Sequence, residues 1–181
     1  MSVETTAVET TSALTGERAE LLQSLRTARH FLRHTVRDLT DEQARERTTV
    51  SELHLGGLIK HVGGTEAVWA RFVQVGPSAF PDGADADEEA AAWADEHVMG
   101  AQETLAGLLE RYEEVAARTD ELVASLPSLD VAHPLPEAPW FEPGARWSAR
   151  RVLLHVIAET AQHAGHADII RESLDGARTM G

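Results

Sequence analysis

The fold is decided by one stretch of sequence, residues 147–175, which reads WSARRVLLHVIAETAQHAGHADIIRESLD. Ser148 is a good N-cap, because its hydroxyl can accept a hydrogen bond from an unpaired N–H group of the first helical turn. Gly176 is a suitable stop, since glycine tolerates the left-handed conformation that follows many helices. The stretch therefore predicts one long helix that begins near Trp147 and ends at Asp175.

One face of this helix is apolar at both ends and polar in its middle. Residues that recur at alternating steps of four and three lie on the same side of a helix. A carboxylate or an imidazole is costly in a core unless it is neutralised, hydrogen-bonded or bound to a metal ion. The polar middle is therefore the first candidate for a functional site. The face consists of Val152, Val156, Glu159, His163, His166 and Ile170.

Three earlier segments repeat this periodicity and predict three more helices, whereas no segment of useful length alternates as a strand does. We therefore predict an all-α protein, a four-helix bundle with up-down order and long second and third connections. Residues 1–14 are predicted to be a disordered tail, and residues 15–181 to form the bundle. The three segments run from about Thr15 to Leu39, from Ser51 to near Gly76, and from Gln102 to Ser125 with an alternative start near Trp93.

Four glycines, Gly56, Gly57, Gly63 and Gly64, interrupt the second predicted helix. Glycine inside a helix costs roughly 1 kcal/mol relative to alanine, so four within a few turns need a reason. Close approach of another backbone and room for a ligand are both adequate explanations.

The composition excludes several classes of function. The net charge of −14, with histidines counted as neutral, argues against nucleic-acid binding, which needs a basic surface. No segment resembles a signal peptide or approaches the length of a membrane span, so we expect a cytoplasmic protein with no membrane partner. The chain has no cysteine, and any reacting thiol must therefore arrive with a second substrate.

The spacing of three residues predicts a metal site. Glu159 and His163 are four apart and lie about 6 Å from each other along one face of the helix. His61 falls on the predicted inner face of the second helix and could supply a third ligand. Two imidazoles and one carboxylate leave coordination positions open, as in catalytic sites, and favour Zn²⁺ over Ni²⁺ or Fe²⁺. The alternative is a buried Glu–His ion pair without metal.

Other residues are candidates for roles around such an ion. His166 follows His163 by three positions and could compete as a ligand, act as a catalytic acid or base, or anchor a substrate. Asp168 and Arg171 are expected to form an ion pair on the helix surface. Candidates for substrate binding are Trp147, Arg146, Trp69 and His54.

Two runs of sequence resemble a known superfamily. The run LIKHVGGTEAVWARF, residues 58–72, resembles the second helix of DinB-like metal-binding four-helix bundles, and residues 147–176 resemble the fourth. The resemblance covers the chain from about Glu17 onward. It is strongest to the branch allied to mycothiol-dependent maleylpyruvate isomerase and thiol S-transferases. By position it implies a divalent ion held by His61, Glu159 and His163, although many members have histidine where this chain has Glu159.

The resemblance also implies a reaction. We expect a metal-dependent S-transferase or isomerase that uses a low-molecular-weight thiol, mycothiol by resemblance, and a small electrophilic substrate. A homodimer is a further expectation. A non-catalytic, stress-related metal-binding bundle and a metal-dependent hydrolase remain as alternatives.

Overall fold

The computed structural model describes residues 14–80 and 95–179 and shows a mainly helical protein, as the sequence predicts. The predicted tail lies outside the described residues apart from Leu14, and so does the alternative helix start near Trp93. The elements are α1 (Glu17–His34), α2 (Asp41–Arg45), α3 (Leu55–Val75) with a 3₁₀ turn at Gly76–Ala79, α4 (Leu105–Ser125), β1 (Ala132–Pro134), β2 (Arg146–Ser148) and α5 (Ala149–Asp175).

The four long helices pack around a shared apolar core. Helix α3 contacts both α4 and α5, and α1 contacts α5 extensively and α4 to a lesser extent. The core has two clusters, one around Leu58 and Val62 and another around Phe72 and Val152. The contact between α3 and α5 brings His61 close to the helix that carries Glu159. Within the described part of the chain, no helix is both long and apolar enough to cross a bilayer.

The predicted ends of α5 are confirmed. The Ser148 hydroxyl accepts a hydrogen bond from the backbone N–H of Arg151 at 3.2 Å. Gly176 ends the helix with a φ of 80°, in the left-handed region that glycine adopts readily. Glu159 and His163 are therefore carried by one uninterrupted helix.

The sequence predicts these polar residues in the middle of the core-facing sides of the helices. The structure instead places them at the edge of the core. The most deeply buried line on α5 passes through Val156, Thr160 and Ala164. Glu159 and His163 are one position away from this line and are half-buried. The corresponding line on α3 passes through Val62 and Glu66, and it leaves His61 at its border for the same reason. This border position keeps the polar groups within reach of solvent.

A buried ion pair joins α1 to α3. Arg29 is 2% exposed and Glu66 is 1% exposed. The Arg29 guanidinium donates to both carboxylate oxygens of Glu66, with Nε lying 3.0 Å from Oε2, and also donates to Asp120 of α4 at 2.9 Å. The guanidinium balances the buried carboxylate of Glu66 inside the core, and the partly exposed Asp120 is also paired with Arg26. Periodicity could not reveal this pair, since each residue taken alone looks like a solvent-exposed charge.

The connection between α4 and α5 contains a small antiparallel sheet that the sequence did not predict. Strand β1 pairs with β2 so that His133 lies opposite Trp147. The strands are three residues long, too short for an alternating pattern to be recognised. Two further backbone bonds, from Ala149 to Val131 and from Arg150 to Leu129, hold the connection against the start of α5.

The predicted ion pair between Asp168 and Arg171 is wrong. Arg171 is buried and pairs with Asp175, and its guanidinium also donates to the carbonyl oxygens of Thr35 and Arg37 at 2.8 Å. Asp168 instead accepts a hydrogen bond from the backbone of Thr179. Arg171 therefore ties the end of α1 to α5.

Helix α3 begins at Leu55, four residues later than predicted, and its first glycines lie under another segment. His54 is the N-cap residue. A Cβ atom on Gly56 would overlap the side chain of Met99, and one on Gly57 would overlap the carbonyl oxygen of His97. Close approach of another backbone is therefore the explanation for Gly57, and a buried methionine side chain occupies the space beside Gly56. Gly64, by contrast, has no atom within 4 Å of its missing Cβ.

Replacement of Arg29 by methionine should lower the free energy of unfolding by about 3–5 kcal/mol, because it leaves the buried carboxylate of Glu66 without its partner. Chemical denaturation monitored by circular dichroism measures this loss. The matched control is Arg26→Met, since Arg26 also pairs with Asp120 but its side chain is 61% exposed, and that loss should stay within about 1 kcal/mol. Equal losses for the two variants would contradict the assignment.

Alanine at Gly57 and at Gly64 should have opposite effects on stability. Gly57→Ala should cost about 1–3 kcal/mol, because the new methyl group forces the His97 backbone away from α3. Gly64→Ala should add about 0.5–1 kcal/mol, since it replaces an exposed helical glycine without meeting a neighbour. Thermal unfolding of the two variants measures both effects, and the same sign for both would contradict this account of the glycines.

Candidate metal centre

Three side chains from two helices meet at one point. The Oε1 atom of Glu159 lies 3.1 Å from Nε2 of His163 and 3.4 Å from Nε2 of His61. One ligand atom from each residue can be chosen so that all three lie within 4.8 Å of one another. The predicted convergence of His61, Glu159 and His163 is therefore what the structure contains.

The helices supply this geometry directly. Glu159 and His163 lie one turn apart on α5, which sets their side chains next to each other. His61 reaches them from α3, with its ring in edge-to-face contact with the ring of His163 at 4.9 Å. The side chains of His61 and His163 are 12% and 13% exposed and that of Glu159 is 26% exposed, so each of the three side chains is partly exposed to solvent.

Burial and mutual contact set the protonation states. Burial lowers the pKa of His61 to about 4, with His97 and His163 adding to the shift, and burial also lowers the pKa of His163. Burial alone would raise the pKa of Glu159, but His163 and His61 outweigh it, so that this pKa is lowered. At neutral pH the site therefore holds two neutral imidazoles and one carboxylate, which are the forms that bind metal ions.

The residues present fit a divalent metal ion. Ligand atoms that share an ion at about 2.0–2.2 Å lie no more than about 4.4 Å apart. The distances of 3.1 and 3.4 Å from Oε1 of Glu159 to the two imidazole nitrogens are within that limit. Hydrogen bonds within the trio do not satisfy every polar atom. Nδ1 of His61 is buried and has no hydrogen-bond partner among the described residues.

His166 lies against the second imidazole of the trio. Its Nδ1 atom is 3.3 Å from Nδ1 of His163, and the two rings meet edge to face at 5.3 Å. One of these nitrogens must carry the proton of the shared hydrogen bond. If His163 donates, its Nε2 atom keeps a lone pair for a metal ion. Such a partner fixes both the tautomer and the ring orientation of a ligand histidine.

His97 stacks on His61, with ring centroids 4.0 Å apart and planes inclined by 26°. The sequence did not predict this contact. His97 belongs to the segment that packs on Gly56 and Gly57. It lies outside every helix with a periodic apolar face, so spacing gives no signal for it. The only hint in the sequence is indirect: glycines near the start of a helix allow another segment to approach.

Two of the predicted substrate-binding residues form an aromatic cluster on the same side of α5. Trp69 and Trp147 stack with centroids 4.9 Å apart, and each contacts the ring of His155 edge to face. His155 precedes Glu159 by one helical turn, so the cluster adjoins the trio along the helix. Arg146 is exposed and donates to the carbonyl oxygen of Ala132 at 2.7 Å, within the small sheet.

The structure gives His54 a different setting. The side chain is 3% exposed, and its Nδ1 lies 3.0 Å from the carbonyl oxygen of Ala44 and 3.1 Å from the backbone nitrogen of Gly57. Its Nε2 lies 3.4 Å from the backbone nitrogen of Met99. Because both nitrogens contact backbone groups, His54 is placed to hold chain segments together.

Comparison with known proteins agrees with the fold and with the resemblance of the two histidine-bearing helices. No curated protein matches the chain significantly. A crystal structure of the conserved protein of a locus from Enterococcus faecalis has a TM-score of 0.66 with 13% sequence identity, over 91% of this chain and 100% of that chain. This similarity shows a shared fold only.

A family model carries the assignment further, because it covers most of the chain. The model for mycothiol S-transferases matches residues 20–176, which include most of α1, the small sheet and every residue of the trio. The predicted likeness to DinB-like proteins is thereby confirmed. The chain belongs to the mycothiol S-transferase family, one of the DinB-like families.

Proposed function

We propose that this protein is a metal-dependent transferase that joins a low-molecular-weight thiol, mycothiol, to a small electrophile, or isomerises an electrophile through such a thiol. The observation that carries the proposal is the convergence of His61, Glu159 and His163 at the border of the core. Family membership supports the thiol as a substrate. The absence of cysteine from the chain agrees with a thiol that is supplied from outside.

We also propose that the four long helices form an up-down bundle. Each of α1, α3, α4 and α5 contacts two of the others, which is the arrangement that a bundle requires. Bundle interiors are a common place for metal sites built from facing helices. We also propose a cytoplasmic location, since the cytoplasm keeps thiols reduced.

In this proposal the ion is held by Nε2 of His61, a carboxylate oxygen of Glu159 and Nε2 of His163, with Zn²⁺ as the first choice and Ni²⁺ or Fe²⁺ behind it. A bound divalent ion lowers the pKa of a thiol that reaches it, so that the thiol reacts as a thiolate near neutral pH. Glu159 contributes negative charge that favours the ion. The neutral imidazoles do not have to release protons before they bind.

The remaining roles belong to residues beside the trio. Nδ1 of His166 faces His163, so we assign proton exchange with the substrate to Nε2 of His166. Trp69 and Trp147 form an apolar wall one turn away from Glu159, where a small electrophile would be shielded from water. We do not assign substrate binding to His54, because its nitrogens contact backbone groups.

Metal-free protein should take up one equivalent of Zn²⁺, and each of the variants His61→Ala, Glu159→Gln and His163→Ala should lower the affinity. The expected loss exceeds about 100-fold, because removal of a ligand costs more than the 10- to 100-fold typical of residues that only orient ligands. Isothermal titration calorimetry and elemental analysis measure the affinity and the stoichiometry.

The matched control is His30→Ala, which removes an exposed histidine on α1 and should leave the stoichiometry at one ion. Protein that gains no ion when supplied with Zn²⁺ or Ni²⁺ would count against the site. Uptake that persists in all three ligand variants would place the ion elsewhere.

Turnover should require both a thiol and a metal ion. With Zn²⁺ bound, mycothiol and an activated aryl halide should give a thioether, and the thiol should be consumed at the same rate as halide is released. Chelation should abolish this rate and added Zn²⁺ should restore it, because the thiolate forms only near the ion. Mass spectrometry of the product identifies the new carbon–sulfur bond.

The same assay distinguishes the other functions considered. Turnover of an ester or amide substrate without thiol would indicate a hydrolase. Stoichiometric metal with no turnover across a panel of thiols and electrophiles would indicate a non-catalytic metal-binding protein. At saturating Zn²⁺, the variant His166→Ala should reduce turnover and still bind one equivalent of metal, and an unchanged rate would contradict the role assigned to that residue.

A further inference from the structure

We propose that His97 is a positioning residue that holds the imidazole of His61 in the orientation needed to bind the metal ion, and that His54 fixes the segment that carries His97. This inference rests on the proposed metal centre. It assigns a task to two histidines that belong to neither the trio nor the aromatic cluster.

The two histidine ligands differ in how their rings are held. A ligand histidine normally donates its second ring N–H to an acceptor, which fixes the ring. His163 has such a neighbour in His166, whereas Nδ1 of His61 has no hydrogen-bond partner among residues 14–80 and 95–179. The orientation of the His61 ring must therefore be fixed in another way.

Stacking by His97 fixes the orientation of the His61 ring. The rings of His97 and His61 lie nearly parallel, with centroids 4.0 Å apart. A stacked ring restricts rotation of its neighbour, because any turn about the Cβ–Cγ bond would bring the two faces into collision. The lone pairs of an imidazole lie in the plane of the ring, so contact with the face leaves Nε2 available to an ion. Stacking therefore orients the ligand without competing for the metal.

The backbone around His97 is held against the first turn of α3. The carbonyl oxygen of His97 rests on Gly57, and the side chain of Met99, 2% exposed, covers Gly56. The Nζ atom of Lys60 donates to the carbonyl oxygen of Val98 at 3.1 Å. These contacts hold the backbone of His97 against Gly57. Because Gly57 lies one helical turn before His61, the ring of His97 is held beside the ring of His61.

His54 links this segment to α2 from inside the core. With the proton on Nδ1, its imidazole donates to the carbonyl oxygen of Ala44 and accepts on Nε2 from the backbone N–H of Met99. In this tautomer the backbone nitrogen of Gly57, 3.1 Å from the same Nδ1, faces a donor and forms no hydrogen bond with it. Burial is the main cause of the lowered pKa of His54, which keeps the ring neutral and able to accept. Met99 is two residues from His97, so His54 fixes the backbone that carries the stacked ring.

Replacement of His97 tests the stack, with Zn²⁺ affinity of the metal-free protein as the readout and a chromophoric chelator as the competitor. His97→Ala should weaken Zn²⁺ binding about 10- to 100-fold, the range for residues that orient ligands. His97→Phe should restore affinity close to that of the unaltered protein, since phenylalanine keeps the flat ring and lacks the nitrogens. The absorption spectrum of the Co²⁺ form should change in His97→Ala and return in His97→Phe.

Two results would overturn the role of His97. Affinity in His97→Ala equal to that of the unaltered protein would show that the stack does not position His61. Equal weakness of His97→Phe and His97→Ala would show that a ring nitrogen of His97 is required. If the unaltered protein itself binds no Zn²⁺, the proposed function fails, which is distinct from a failure confined to His97.

A second pair of variants tests His54. His54→Ala and Ser148→Ala each remove the side chain of the N-cap residue of a long helix, but only His54 contacts the segment that carries His97. His54→Ala should weaken Zn²⁺ binding more than Ser148→Ala does, at a comparable loss of thermal stability. Equal effects on affinity would show that His54 acts only as a helix cap.

Discussion

One carboxylate oxygen, Oε1 of Glu159, joins the two helices on which the candidate site depends. It contacts Nε2 of His163 on its own helix and Nε2 of His61 on α3. Burial lowers the pKa values of both imidazoles, so at neutral pH neither supplies a positive charge to balance the carboxylate. A half-buried carboxylate between two imidazoles is an environment that a divalent cation would stabilise.

Glu66 is a second carboxylate on the inner side of the helices, and a residue of the protein itself balances its charge. Glu66 lies five positions after His61 on α3 and is almost completely buried, and Arg29 neutralises it across the core. Arginine stays charged at any ordinary pH, so this pair is permanent. The fully buried charge is thus balanced by an arginine, while the half-buried charge at the border of the core contacts two imidazoles. Helix α3 therefore carries both Glu66, which joins the helices of the core, and His61, which belongs to the candidate site.

Much of this arrangement could be predicted from the sequence, since it depends on spacing within single helices. Periodicity and capping predicted α5, and the step of four residues predicted that Glu159 and His163 would act together. What could not be predicted involves residues far apart in sequence. Arg29 and Glu66 look exposed until each is known to be the partner of the other. His97 belongs to no periodic segment, and the three-residue strands are too short to give a pattern.

The glycines at the start of α3 connect the stability of this helix with the geometry of the candidate site. Each costs a helix roughly 1 kcal/mol relative to alanine, which an amphipathic helix would avoid if only its own stability mattered. The missing side chain of Gly57 lets the backbone of His97 lie directly on the helix, and that of Gly56 makes room for the side chain of Met99. That approach brings Met99 within reach of His54 and sets the ring of His97 on the face of His61. Helical stability is therefore given up at these positions in exchange for the orientation of one imidazole.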